Sequence, residues 1–242
     1  MRIVAKTDIG SVRPNNQDSY AAGELPNSVA WAVVCDGMGG ASGGNIASST
    51  AVKIISERIT SSYKAGMGGS SIKNILTSAI AAANIEVFDE SQADEALAGM
   101  GTTVVAAVIS DGVLYVAHAG DSRAYILSKG SLKQITKDHS FVQEMVDIGR
   151  LTPDEAKDDP RKNIITRALG VGDELRVDFC EEFIDKDDVV LICTDGLTNY
   201  VSIEEIISLT SDGKFNDFSE RLVNKANENG GGDNITVVTL SY

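Results

Sequence analysis

The sequence predicts an α+β fold in which helices cover sheets. Three observations predict it. Strand-like stretches bracket two long amphipathic helices, short strand candidates follow one another from 102 to 135, and the chain closes on the strand-like run Ile235–Leu240. Consecutive short strands favour an antiparallel meander over alternating βαβ units. No linker, low-complexity tract or shift in composition interrupts the chain, so residues 1–242 are expected to form one domain.

In chain order, residues 2–8 alternate as a strand. Residues 9–17 make a polar loop carrying Arg13-Pro14-Asn15-Asn16-Gln17, and Asp18 opens the next extended piece. Ser28–Cys35 is an apolar, β-branched run and predicts a strand. Beyond the glycines after Asp36, Ile46, Ala47, Ala51, Ile54, Ile55 and Ile59 fall at helical spacing. A glycine-containing loop at 64–69 separates them from a second helix, whose stripe is Ile72, Ile75, Leu76, Ala79, Ile80, Ala83 and Val87. Then come strand candidates at Thr102–Ser110, Leu114–His118, Ser122–Leu127 and Leu132–Ile135, with Asp111-Gly112 and Lys129-Gly130 as hairpin turns. Residues 139–149 predict a helix, and 150–174, with Pro153 and Pro160, an irregular polar segment. Leu175–Phe183 and Asp188–Thr194 predict strands, and helices follow near 202–209 and 216–228.

The charge narrows the partners. Lys plus Arg is 21 against 35 for Asp plus Glu, a net charge of −14. Such a surface repels nucleic acid and anionic membranes. The segment Met1-Arg2-Ile3-Val4-Ala5-Lys6 has no signal-peptide core, and no apolar run reaches the roughly 18 residues of a membrane span. A cytoplasmic location is expected. Cys35, Cys180 and Cys193 are isolated, with no C-x-x-C, and fit buried reduced thiols.

Aspartates at the ends of apolar runs carry the chemistry. Val33-Val34-Cys35-Asp36-Gly37-Met38-Gly39-Gly40 ends such a run in a carboxylate, and Leu191-Ile192-Cys193-Thr194-Asp195-Gly196 repeats the figure. His118-Ala119-Gly120-Asp121 is a variant, Gly232-Asp233-Asn234 leads into a strand, and Asp18 begins one. One Asp-Gly alone is an ordinary turn. Five aspartates at strand ends, with no His or Cys in an equivalent place, suit hard cations such as Mg²⁺ or Mn²⁺. Two such cations can clamp a phosphoryl group and activate water near neutral pH. Arg13, in the loop just before Asp18, is placed to bind the remaining phosphate oxygens, and Gly37 lets a backbone carbonyl approach a metal.

Seven motifs then occur in a familiar order: Arg13-Pro14-Asn15-Asn16-Gln17-Asp18, Asp36-Gly37-Met38-Gly39-Gly40, Gly101-Thr102-Thr103, Gly120-Asp121-Ser122-Arg123-Ala124-Tyr125, Asp138-His139-Ser140, Asp195-Gly196-Leu197 and Gly232-Asp233-Asn234-Ile235-Thr236. Together they resemble the metal-dependent type-2C (PPM family) Ser/Thr protein phosphatases, in particular the compact bacterial ones, from residue 2 to 240. The resemblance implies a central antiparallel β-sandwich flanked by helical layers, with a flap over about 141–174. It implies hydrolysis of phosphoserine and phosphothreonine in proteins with Mn²⁺ or Mg²⁺ and no phosphoenzyme. Asp36 would bridge two metals, Asp195 and Asp233 would complete one site, and the Gly37 carbonyl and Asp18, through water, the other. Asp121 with Asp195 would form a third site, and Arg13 would hold the substrate phosphate. The implied partners are phosphorylated Ser/Thr proteins and an opposing bacterial Ser/Thr kinase, with the phosphatase acting as a monomer.

The chain departs from many eukaryotic members at Met38, where they carry a histidine often assigned as general acid; Met38 has no proton to give. Only His118 and His139 exist. His118 precedes the Asp121 turn and could lie near the third metal, whereas His139 is expected to hold structure through hydrogen bonds. Arg161, Lys162 and Arg167 could touch substrate but fit solvated surface charge better. A non-catalytic pseudophosphatase would have lost metal ligands, and every expected Asp is present. A two-metal nuclease would need a basic groove, against the charge of −14. A sensor-regulated phosphatase would need a further domain.

Overall fold

Two antiparallel sheets lie face to face in the computed structural model, which describes residues 1–40, 43–210 and 214–242. The first sheet joins β1 (Arg2–Asp8), β11 (Ile235–Ser241), β10 (Val189–Cys193), β7 (Arg123–Ser128) and β8 (Ser131–Gln134), in that spatial order. The second joins β2 (Asp18–Leu25), β3 (Val29–Met38), β5 (Val104–Ser110), β6 (Val113–Ala119) and β9 (Asp178–Phe183), with the short β4 (Gly101–Thr102) paired to β3.

Side-chain alternation explains the layers. Ala30, Ala32 and Val34 of β3 meet Ile192, Val238 and Leu240 between the sheets, while Trp31, Val33 and Cys35 face the helices. A strand buried on both faces is continuously apolar, which is why 29–35 reads as one run. Two helices, α1 (Gly43–Ser62) and α2 (Gly69–Ala93), cover the second sheet with Ile55, Ile59, Ile72, Leu76, Ile80 and Val87. On the first sheet lie Ile206 of α6 (Ile203–Thr210) and Phe218, Leu222 and Val223 of α7 (Phe218–Glu228). The result is a four-layer αββα stack, as the resemblance implied. Each fully buried Ile or Leu in it stabilises the fold by about 1.5–3 kcal/mol relative to exposure. Among the described residues no helix is long and apolar enough to cross a membrane.

Three expectations change. The strand of Asp36 does not end at Cys35 but runs on to Met38, because β4 pairs with Gly37 and Met38. The turn comes at Gly39 and Gly40, whose φ of 124° and 57° favour glycine. The meander is also split: β5–β6 belongs to one sheet and β7–β8 to the other, and the chain crosses between them at Gly120–Ser122. Finally, 150–174 contains a short helix α4 (Pro153–Asp158), following α3 (Phe141–Asp147). Its start is written in the sequence as a Thr152-to-Glu155 capping box with proline in the first turn. The hairpin turns hold as expected, with positive φ at Asp111, Gly112, Lys129 and Gly130.

Candidate active site

Strand register gathers the carboxylates. Asp18 and Asp36 face one another across β2 and β3. In the other sheet Cys193 pairs with both Arg123 and Val237. The end of β10 before Asp195, the start of β7 after Asp121 and the start of β11 after Asp233 therefore share one edge. All five aspartates thus sit at one end of the sandwich, where the chain passes between sheets. Asp195 opens a one-turn helix, α5 (Asp195–Thr198). Gly196 there lies so close to the Asn234 carbonyl that a Cβ would overlap it, and a Cβ on Gly37 would likewise overlap the Gly44 carbonyl.

Asp36 is the hub. Its pKa is driven well up by burial and then by Asp18, Asp195, Asp121 and Asp233. Asp195 is close enough to share a proton with Asp36, and burial followed by Asp233 raises its pKa too. Asp18 is 8% exposed, and burial pushes it up to about 7 despite hydrogen bonds to threonines 194 and 236. Its Oδ2 accepts from Thr194 Oγ1 at 2.9 Å, while its Oδ1 is buried with no hydrogen-bond partner. Burial, then Asp195, pushes Asp121 up to about 7. Against these stand the charge of Arg123, felt at Asp121 and Asp195, and Arg13, whose Nη2 lies 2.8 Å from Asp233 Oδ2. Those side chains are 51% and 29% exposed, so the pair is worth at most about 1 kcal/mol and is readily exchanged.

Crowded carboxylates, one with an orphaned oxygen, form a donor set that fits hard divalent cations. Among the described residues no three His, Cys, Asp or Glu side chains form a ready-made cage for one ion. Mutual repulsion and hydrogen bonds account for that: Asp233 turns to Arg13, Asp18 to Thr194, and Asp195 Oδ2 to Asn199 Nδ2 at 2.9 Å.

Several residues that hold this arrangement escaped the sequence reading. Asn234 clamps the loop of Arg13: its Oδ1 accepts from Gln17 N at 2.8 Å, and its Nδ2 donates to the carbonyls of Ile9 and Asn15 at 2.9 and 3.0 Å. Thr103 Oγ1 accepts from Asp36 N, and Thr102 Oγ1 donates to the Asp36 carbonyl, both at 2.9 Å. Arg123 meets Asp138 in a two-pronged pair of 2.6 to 3.0 Å. These threonines and Asn234 stand inside recognisable motifs, but what each bonds is decided by chain crossings far apart in sequence.

The histidines lie outside the carboxylate cluster. His118 is buried, its Nε2 donates to the Lys137 carbonyl at 2.9 Å, and its ring stacks on His139 at 4.8 Å. Burial lowers the pKa of both rings. His139 has the hydrogen-bonding role expected of it: its Nδ1 accepts from Gly120 N at 3.1 Å and its Nε2 faces Asp178 at 3.2 Å. The Met38 methyl lies near Val171, both within about 3 Å of where a Cβ on Gly101 would stand. Arg161 forks onto Asp159 and lies over the Phe141 ring, Arg167 pairs with Asp178, and Lys162 is exposed.

Comparison with known proteins agrees with this architecture. The family model "Protein phosphatase 2C" matches residues 11–237. The chain is 37% identical over 238 residues to the serine/threonine phosphatase stp of Listeria monocytogenes, covering 97% of this chain and 93% of that protein. The solved serine/threonine phosphatase of S. agalactiae superposes with a TM-score of 0.92 at 35% identity, covering 98% of both chains. The catalytic domain of the serine/threonine protein phosphatase PstP, solved in complex with 2 manganese ions, gives 0.85 at 35% identity, with 98% and 96% covered.

Proposed function

The chain belongs to the protein phosphatase 2C family and is a metal-dependent protein serine/threonine phosphatase, and on that premise we propose that it works through a two-cation centre shared by Asp36. The observation that carries this reading is the convergence of Asp18, Asp121, Asp195 and Asp233 on Asp36, with one oxygen of Asp18 left without a partner. Asp36 would be common to two cations. Asp195 and Asp233 would complete one site, and the Gly37 carbonyl and Asp18 the other. Asp121 with Asp195 would take a third ion. Mn²⁺ and Mg²⁺ both suit all-oxygen donors, and PstP with its 2 manganese ions favours Mn²⁺. Such cations supply Lewis acidity toward phosphoryl oxygens and lower the pKa of water.

The residues of the chain do the rest. Arg13, exchanging Asp233 for substrate, grips the phosphoryl oxygens as a two-pronged donor. Thr102 and Thr103 fix the main chain of Asp36 and so anchor the strand end that carries its carboxylate. The proposed reaction involves no phosphoenzyme, and neither buried thiol is an activated nucleophile: burial drives Cys35 far above the physiological range and pushes Cys193 up to about 12. Met38 has no proton to give the departing serine or threonine oxygen. Residues 1–242 act as one catalytic domain and monomer, opposing a Ser/Thr kinase in signalling.

Hydrolysis of a phosphothreonine peptide tests the reading. Wild type is expected to need Mn²⁺ or Mg²⁺, and Asp36→Asn to lose at least about a thousandfold in kcat. Arg13→Ala is expected to lose roughly 30-fold in kcat/KM, the worth of a charged hydrogen bond. Undiminished activity of the Asp36 variant, or turnover in chelator, would contradict it.

A further inference from the structure

Among the described residues, the Asp121 carboxylate hydrogen-bonds only to its own main chain, so the backbone turn that carries it governs its position. That turn is held on two sides. After Asp121, Ser122 Oγ bonds Thr103 Oγ1 at 2.7 Å. Before it, Gly120 has φ +107° and packs so that a Cβ would stand 2.7 Å from the Thr103 side chain. His139 grips Gly120 twice: its N donates to the Gly120 carbonyl at 2.9 Å, and its ring Nδ1 accepts from Gly120 N at 3.1 Å. With Nδ1 accepting, a neutral ring carries its proton on Nε2, which lies 3.2 Å from Asp178 Oδ2 and 3.0 Å from Arg167 Nη1. Arg167 Nη1 donates to the other oxygen of Asp178 at 2.9 Å, and Thr166 N donates to the His139 carbonyl at 2.8 Å. His118, stacked nearly parallel at 5°, fixes the plane of the ring.

We propose that His139, oriented by Asp178 and Arg167, is a positioning residue for the Asp121 carboxylate and so tunes the affinity of a divalent cation held there. This rests on the reading of Asp121 as a cation ligand. The acceptor at Nδ1 does the work, by fixing the Gly120 amide one residue before the ligand. A ligand aimed by a fixed partner behind it loses affinity when that partner goes, commonly by 10–100-fold.

Calorimetric titration of the cation-free chain with Mn²⁺ tests this without recourse to activity. Asp121→Asn identifies the class of binding that depends on Asp121. His139→Ala is expected to weaken that class about tenfold and leave the remaining binding unchanged. His139→Asn, whose Oδ1 can replace Nδ1 as acceptor for the Gly120 amide, is expected to restore most of it. Asp178→Asn and Arg167→Ala, both partly exposed, are expected to weaken it about threefold and serve if the His139 variants do not fold. A wild-type isotherm in His139→Ala, or in both outer variants, overturns the proposal while the Asp121 reading stands. So does His139→Asn as weak as His139→Ala. If Asp121→Asn removes no binding, the Asp121 reading itself falls and the proposal with it.

Discussion

Two polar layers lie side by side at the functional end of the sandwich, and they are built on opposite principles. In one, Arg123 faces Asp138, with Gln134 donating to the same carboxylate, and His139 faces Asp178 and Arg167. Each charge there has its counter-charge within the chain. In the other, Asp18, Asp36, Asp121, Asp195 and Asp233 crowd together, with Arg13 paired to Asp233 alone and the charge of Arg123 reaching Asp121 and Asp195 only from its own pair with Asp138. The paired layer is complete as folded and holds shape. The unpaired layer is held in place by that shape and is finished only by something positive from outside. Stability was traded for function at one of two adjacent places, so charge-neutralising variants should act in opposite directions there.

The largest contrast is between Asp138→Asn and Asp195→Asn in the cation-free protein. Asp138→Asn strands Arg123 and is expected to cost about 3 kcal/mol in urea unfolding. Asp195→Asn removes repulsion from Asp36 and Asp233 and is expected to stabilise, by about 1 kcal/mol, while abolishing turnover. Equal losses of stability would erase the distinction.

Next is pH. Asp18 and Asp121 are pushed up to about 7 in the fold, above their ordinary range near 4. The folded state therefore binds their protons more tightly than the unfolded chain does. The stability this confers is full below about pH 4 and is lost as pH rises through about 7. In chelator, Tm is expected to fall on the order of 10 °C between pH 5 and 8, and Mn²⁺ to restore most at the alkaline end. A Tm in chelator that rises over that range would show the carboxylates to be better neutralised than the structure has them.

Asn234→Ala sharpens the comparison from the side of the scaffold. It leaves Gln17 N and the carbonyls of Ile9 and Asn15 without their partner, at an expected cost of about 2 kcal/mol. Because that loop carries Arg13, KM for a phosphopeptide is expected to rise several-fold more than kcat falls. A pure stability loss with unchanged KM would separate the clamp from Arg13.

The unpaired layer stands out in the sequence, whereas the paired one shows there only as motifs around Arg123, Asp138 and His139, without its pairings. A carboxylate closing an apolar β-branched run, as at Cys35-Asp36 or Thr194-Asp195, violates the local pattern and so announces itself. Arg123, Asp138 and Asp178 violate nothing: a charged residue beside a strand looks like surface. Only the crossing of β7 to the other sheet and the placing of β9 against β6 put Asp178 behind His139. The same crossing hid the split of the meander, since β5–β6 and β7–β8 are equally good hairpins in sequence. The extension of β3 through Gly37 was hidden because Asp-Gly ordinarily turns, and here β4 overrides that preference.

The most direct test of the unpaired layer is diffraction from crystals grown with Mn²⁺, recorded for manganese anomalous scattering. The account predicts two strong peaks, one on either side of the Asp36 carboxylate, one of them within coordination distance of Asp195 and Asp233, and a third beside Asp121 and Asp195, with Arg13 released from Asp233. No peak at Asp36, or an unbroken Arg13–Asp233 pair beside a fully occupied site, would contradict it.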